Sequence, residues 1–192
     1  MSFIPAFKLG LWNAWIFILP VLLLTLIGNR LIKKRKMGSL SEAVADLSKM
    51  EKNLVTYLGI PIFGSYLYSL FLPLKLGTIW FYIGIAIYMV GFSFQIIAWQ
   101  NLATASVDKP VTKGVYRFSR NPMYIGDFLT FISIAVASLS WIFLLVAIIS
   151  IVVNNIWVIS EERECLAKYG SQYREYLDKI PRWIGKPKSR KT

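Results

Sequence analysis

The sequence predicts an all-α protein, a polytopic membrane helix bundle of about five transmembrane helices with a C-terminal helical hairpin and cytosolic amphipathic helices. Three observations predict it. The chain has 192 residues of which 56% are hydrophobic, and its mean hydropathy of +0.53 exceeds what a soluble core of this size needs. The apolar residues are gathered into long blocks. The 22 lysines and arginines fall almost wholly on one side of those blocks.

Four blocks stand out, Leu11 to Leu31, Leu54 to Leu74, Gly77 to Trp99 and Met123 to Ile159. At about 1.5 Å of rise per residue, each of the first three covers a hydrocarbon layer about 30 Å thick, so each is expected to span. The first is read as a retained span, because it exceeds a signal-peptide core and lacks a small-residue cleavage site. The fourth is too long for one helix and carries Ser138 and Ser140 near its middle. It predicts two closely paired helices, the first of which, from Met123 to Ser138, would reach only about 24 Å. Before the second span, Leu40, Val44, Leu47 and Leu54 recur at helical spacing, which predicts an interfacial helix over 40–53. After the last span, Leu166, Tyr173, Leu177 and Ile180 form a similar set, broken at Gly170 and ended by Pro181. One membrane domain over 1–192 is expected. Residues 1–100 give three spans, 101–184 a loop, the hairpin and C-terminal helices, and 185–192 a basic tail.

Orientation follows from charge. Only Lys8 and Lys75 lie on the side opposite the other basic residues, so the N-terminus is expected outside and the C-terminus in the cytosol of a plasma membrane or endoplasmic reticulum. The net charge of +12 is thus a matter of topology and of membrane lipids as partners, and no nucleic acid partner is expected. With one cysteine and no histidine in the chain, zinc, Ser-His and Cys-His chemistries are excluded and no metal is expected. Neither a Gly-x-Gly-x-x-Gly turn nor a phosphate loop is present, so any nucleotide-like cofactor must bind to a helical scaffold.

The expected cytosolic side gathers the polar groups. Pro122 suits a first helical position, so the exposed N–H groups of that helix and Arg120 together make an anchorage for an anion. The alternative is that Arg120 holds the span to headgroups and Asn121 caps its helix. Glu161 and Glu162 end the last span on the same side. Either they act on a cofactor ammonium or on a proton, or they pair with Arg120, Arg163 and Lys168. Asp127 falls one turn inside an apolar block, where a charge is expensive and generally faces a cavity or partner.

The order Gly114-x-Tyr116-x-x-x-Arg120-Asn121-Pro122-Met123-Tyr124-x-Gly126, an apolar hairpin, then Glu161-Glu162-x-x-x-Leu166-x-x-Tyr169-Gly170-x-x-Tyr173-x-x-Tyr176 and Pro181-Arg182 resembles the isoprenylcysteine carboxyl methyltransferase and phospholipid methyltransferase superfamily. The resemblance covers roughly 101–184. It implies a membrane-embedded enzyme that takes its methyl group from S-adenosylmethionine, held on the cytosolic side, and gives it to a membrane-soluble, lipid-like acceptor. The cofactor-facing residues it implies are Asn101, the backbone of 108–111 ending at Val111, Tyr116, Arg120, Asn121, Tyr124 and Glu161. Glu161, Glu162 and Asp127 are the candidate bases for an amine acceptor. Two positions depart from the pattern. Asn121 stands where the family usually has histidine, which removes a titrating group. Trp157 stands where the prenylcysteine enzymes resemble one another in having an arginine for the substrate carboxylate. That argues against strict prenylcysteine methylation unless Arg163 or Arg120 substitutes, and makes Trp157 and Arg163 the candidate substrate residues. The alternatives are a non-enzymatic membrane scaffold or small transporter and, because sterol reductases look similar here, a nicotinamide-dependent oxidoreductase.

Overall fold

The computed structural model describes residues 7–34 and 47–185. Among them the chain forms six α-helices and one short 3-10 helix, with no strand. The helices are α1 (Trp15–Lys34), α2 (Lys49–Tyr68), α3 (Ile79–Ala103), α4 (Pro122–Ser138), α5 (Trp141–Tyr169) and α6 (Ser171–Lys179), with η1 (Gly114–Arg117) between α3 and α4. Among the described residues two helices, α3 and α5, are long and apolar enough to cross a membrane. Trp15–Leu31 and Pro122–Ser138 are shorter apolar helical stretches.

Helix ends follow local chemistry. Pro122 opens α4 at a position where its missing N–H is no loss. The hairpin turns at Leu139, in the left-handed region, and the Ser140 hydroxyl then accepts from the Phe143 N–H to start α5. Gly170, also at positive φ, separates α5 from α6. Helix α2 differs from expectation. The Ser48 and Glu51 side chains form a reciprocal capping box, and the helix runs unbroken from Lys49 past residue 53. Residues 40–46 of the expected interfacial helix lie outside the described residues. The apolar run from Leu70 to Leu74 is not helical to its end, because its backbone pairs with the segment before α1. The Ala14 N–H donates to the Leu72 carbonyl (2.9 Å), the Leu74 N–H to Trp12 (3.0 Å), and the buried Asn13 amide to Lys8 and Leu70 (2.6 Å each).

Helix α4 is the inner element. It packs most extensively on α3, and also contacts α5 and α1. Its neighbours cover much of it, and Thr130, Phe131, Ser133, Ile134, Ala135 and Ala137 are buried. The facing seam of α3, Gly84, Tyr88, Gly91, Gln95 and Ala98, is buried with alternating spacings of four and three residues, the signature of a coiled-coil-like stripe. Small residues let the two backbones approach closely. A Cβ on Gly84 would lie 2.5 Å from the Ala137 Cβ and 2.8 Å from the Ser133 carbonyl oxygen. Gly84→Ala is therefore expected to overpack this crossing, at about 1–3 kcal/mol, read as a lower melting temperature in detergent. The same change at Gly59, inside α2 and facing open space, is the control and should not lower it, since alanine is the better helix former.

The outward faces carry large apolar side chains, among them Ile83, Met89 and Val90 on α3 and Leu145, Ile148 and Ile151 on α5. Such faces on an isolated chain suit lipid better than water.

Candidate functional site

The site lies where the last turns of α3, the loop with η1, the start of α4, the C-terminal part of α5 and α6 converge. Gly114 has φ +58°, and its Cα sits on the Asn101 side chain, so that a Cβ there would overlap the Asn101 amide oxygen. Only glycine tolerates both conditions. Asn101 is thereby fixed, with its amide also donating to the Ile97 carbonyl. Val111 is half-buried in the same loop. Tyr169 ties the loop to α5 by donating to the Val107 carbonyl at 3.2 Å.

Helix α6 is amphipathic and turns Tyr173 and Tyr176, with Ile180 just after it, onto Cys165, Leu166 and Tyr169 of α5. The Tyr176 hydroxyl donates to the Tyr116 carbonyl at 2.7 Å. Burial holds the phenols of Tyr116, Tyr173 and Tyr176 well above their ordinary value, even though Arg120 pulls those of Tyr173 and Tyr176 down. All three are neutral at physiological pH.

Beyond α6 the chain crosses the segment before α4 as a strap. The Arg120 N–H donates to the Pro181 carbonyl (3.1 Å) and the Gly185 N–H to Phe118 (3.3 Å). The Ser119 hydroxyl and the Asn121 amide both donate to the Arg182 carbonyl, at 3.2 and 3.1 Å. Asn121 thus occupies the cap position of α4 without capping it, and its side chain serves the strap instead.

Three charges lock this arrangement. Glu162 receives two bonds from Arg182, Nε at 3.2 Å and Nη2 at 2.7 Å, and lies 3.3 Å from Arg120 Nη2. Its carboxylate is engaged from both sides, which makes it an anchor of the scaffold. Arg120 keeps one buried donor, Nε–H, without a partner.

Glu161 points elsewhere. Its Oε1 accepts a 2.6 Å hydrogen bond from the Tyr124 hydroxyl, joining the start of α4 to the end of α5 across 37 residues of chain. Three residues on from Tyr124, and so on the same face of α4, Asp127 accepts from Gln95 of α3 at 2.7 Å. Trp157 is half-buried one turn before Glu161. Arg163 sits about 200° round α5 from Glu161, and pairs with Glu51 of α2 at 3.6 Å.

Tyr116, Arg120, Tyr124, Glu161 and Glu162 are thus brought together, with Asn101 and Val111 in the bordering loop and Asp127 one turn deeper. Arg163 is carried to another face. Arg182, Gln95 and α6's tyrosines were not among the expected site residues. Gln95 had one legible signal, as an amide inside an apolar block.

The described residues thus form a helical bundle with two helices long and apolar enough to cross a membrane and one polar end that bears carboxylates and arginines. The sequence model of the phospholipid methyltransferase family matches residues 72–172, more than half of the 192 residues, and the chain belongs to that family. No curated protein and no solved structure matches it. The matched stretch contains α3, η1, α4 and α5, and hence Arg120, Tyr124, Glu161 and Glu162. Members of the family are methyltransferases.

Proposed function

We propose that the protein is a multi-pass membrane enzyme that moves a methyl group from S-adenosylmethionine to the amino group of a phospholipid-like acceptor. The observation that carries this reading is the joining of the α4 start to the α5 end through Tyr124 and Glu161 beside the Arg120–Glu162 pair. The donor set fits the cofactor. Glu161 offers a carboxylate to its cationic groups, and the unpartnered Nε–H of Arg120 suits its carboxylate. Asn101 and the loop to Val111 would border its nucleoside part. When bound, the cofactor supplies an electrophilic methyl on a sulfonium, transferred by in-line displacement. The chain's part is to position and to exclude water. Tyr124 orients the Glu161 carboxylate, Gly114 and Asn101 set the loop, and the strap holds the α4 start in place.

Trp157 in place of an arginine favours an amine over a carboxylate acceptor. The apolar outer faces support several crossings, five in the reading of the sequence, with the site end in the cytosol. The lipid acceptor would then reach the site from within the bilayer.

Purified protein in mild detergent, given radiolabelled S-adenosylmethionine and a total lipid extract, is expected to label an amine-bearing phospholipid, identified by mass. Saturable cofactor binding should accompany it. A folded protein that neither binds the cofactor nor labels any lipid would overturn the reading.

A further inference from the structure

Gln95 and Asp127 meet where α3 and α4 cross at Gly91 and Gly126, and they are an incomplete pair. Gln95 is 2% exposed, and its side chain lies directly over Gly126, where a Cβ would overlap it. Its NH2 group donates to the carboxylate, which turns its carbonyl oxygen away from that bond. That oxygen is buried and accepts nothing. Among the described residues no second donor reaches the Asp127 carboxylate, whose one hydrogen bond comes from Gln95. The Gln95 carbonyl is thus left without a donor beside a carboxylate that has one, and a buried acceptor without a partner is costly.

The chemistry that completes this pair is a cation with several N–H donors. Asp127 sits one turn from Tyr124 on the same face of α4. The pair is therefore next to the Tyr124–Glu161 end without belonging to it. Both Gln95 and Asp127 lie on helices within the matched family stretch.

We propose that Gln95 and Asp127 form the site for the ammonium group of the methyl acceptor, with Asp127 taking the proton the amine must lose. This rests on the methyl-transfer reading. A primary ammonium gives one N–H to the Gln95 carbonyl and one to Asp127. Passing a proton to the carboxylate leaves a neutral amine and a carboxylic acid. The freed nitrogen lone pair forms the new N–C bond while the methyl C–S bond breaks, and the pair of that bond stays on sulfur. The sulfonium becomes a neutral thioether and the amine a secondary ammonium. A quaternary ammonium has no N–H left for Gln95, so the site prefers the unmethylated headgroup.

The test measures binding with no methyl donor present, by native mass spectrometry of the full chain in detergent. The probes are dihexanoyl phosphatidylethanolamine, dihexanoyl phosphatidylcholine and free ethanolamine. The ethanolamine lipid should bind about tenfold more tightly than the choline lipid. D127N should lose about tenfold or more of that affinity, and Q95M, which keeps shape and the carboxylate, should lose the preference between the two lipids. Equilibrium dialysis should give both variants wild-type affinity for S-adenosylmethionine. Should D127N fail to fold, Q95M carries the test. Unchanged lipid binding in either folded variant, or equal binding of the two lipids by wild type, overturns the assignment and leaves the methyl-transfer reading intact. A wild type that binds the amine lipid but no cofactor would sink that reading and leave an ammonium site. Free ethanolamine binding as tightly as the lipid would support the site and make the amine a soluble one.

Discussion

Replacing Glu162 with leucine lowers the melting temperature in detergent by about 10 °C or more. The side chain of Glu162 is 10% exposed and that of Arg120 11%, so the substitution strands a buried guanidinium. Breaking a buried pair in this way costs about 3–5 kcal/mol, because the remaining charge keeps its desolvation penalty and loses its partner. Arg182 loses both of its bonds at the same time, and with them the strap loses its side-chain tie to α5. Arg182→Leu should fall between, since Glu162 then retains Arg120. Lys179→Ala is the control. Its partner Glu175 stands 3.7 Å away with both side chains more than half exposed, and such a pair contributes little. Equal melting temperatures for wild type and E162L would return Glu162 to the candidate bases and remove it from the scaffold.

That division of labour between two adjacent glutamates was not legible in the sequence. Successive residues on a helix point about 100° apart, so Glu161 and Glu162 had to differ, but which one met the arginines depends on a strap from beyond α6. What was legible rested on residues whose conformational effect is local. Pro122 opened α4, Ser140 opened α5 and Gly170 divided α5 from α6, each by a constraint that acts within a turn. Hydropathy found the apolar blocks but not the end of α2. Leu70, Leu72 and Leu74 look like more of a span, yet their backbone is held by Asn13 and its neighbours, a pairing between segments far apart in the chain. Asn121 was open to reading as a cap for the same reason, and its amide instead reaches Arg182.

The polar interior shows the same limit at closer range. Asp127 drew notice because it is a charge within an apolar block, whereas Gln95, neutral and alone in its own block, did not. Only the helix crossing made by Gly91 and Gly126 brings the two together. Local composition reveals which side chains are expensive to bury, and packing decides what compensates them.

Glu161→Gln is expected to weaken S-adenosylmethionine binding by about a hundredfold, and Tyr124→Phe by about tenfold. A hydrogen bond to a charged group contributes about 1.5–3 kcal/mol, and at 2.6 Å the Tyr124–Glu161 contact is of the short, charge-assisted kind. Glutamine keeps an acceptor for the phenol but loses the charge that suits a cationic ligand. Phenylalanine keeps the carboxylate but lets it rotate. If Tyr124 acts only by orienting Glu161, its loss matters little once the charge is gone. The double variant should then bind no more weakly than E161Q within about twofold, a coupling measurable by equilibrium dialysis on four proteins. Losses that simply add would mean that Tyr124 touches the cofactor independently of Glu161, and would make it a binding residue in its own right.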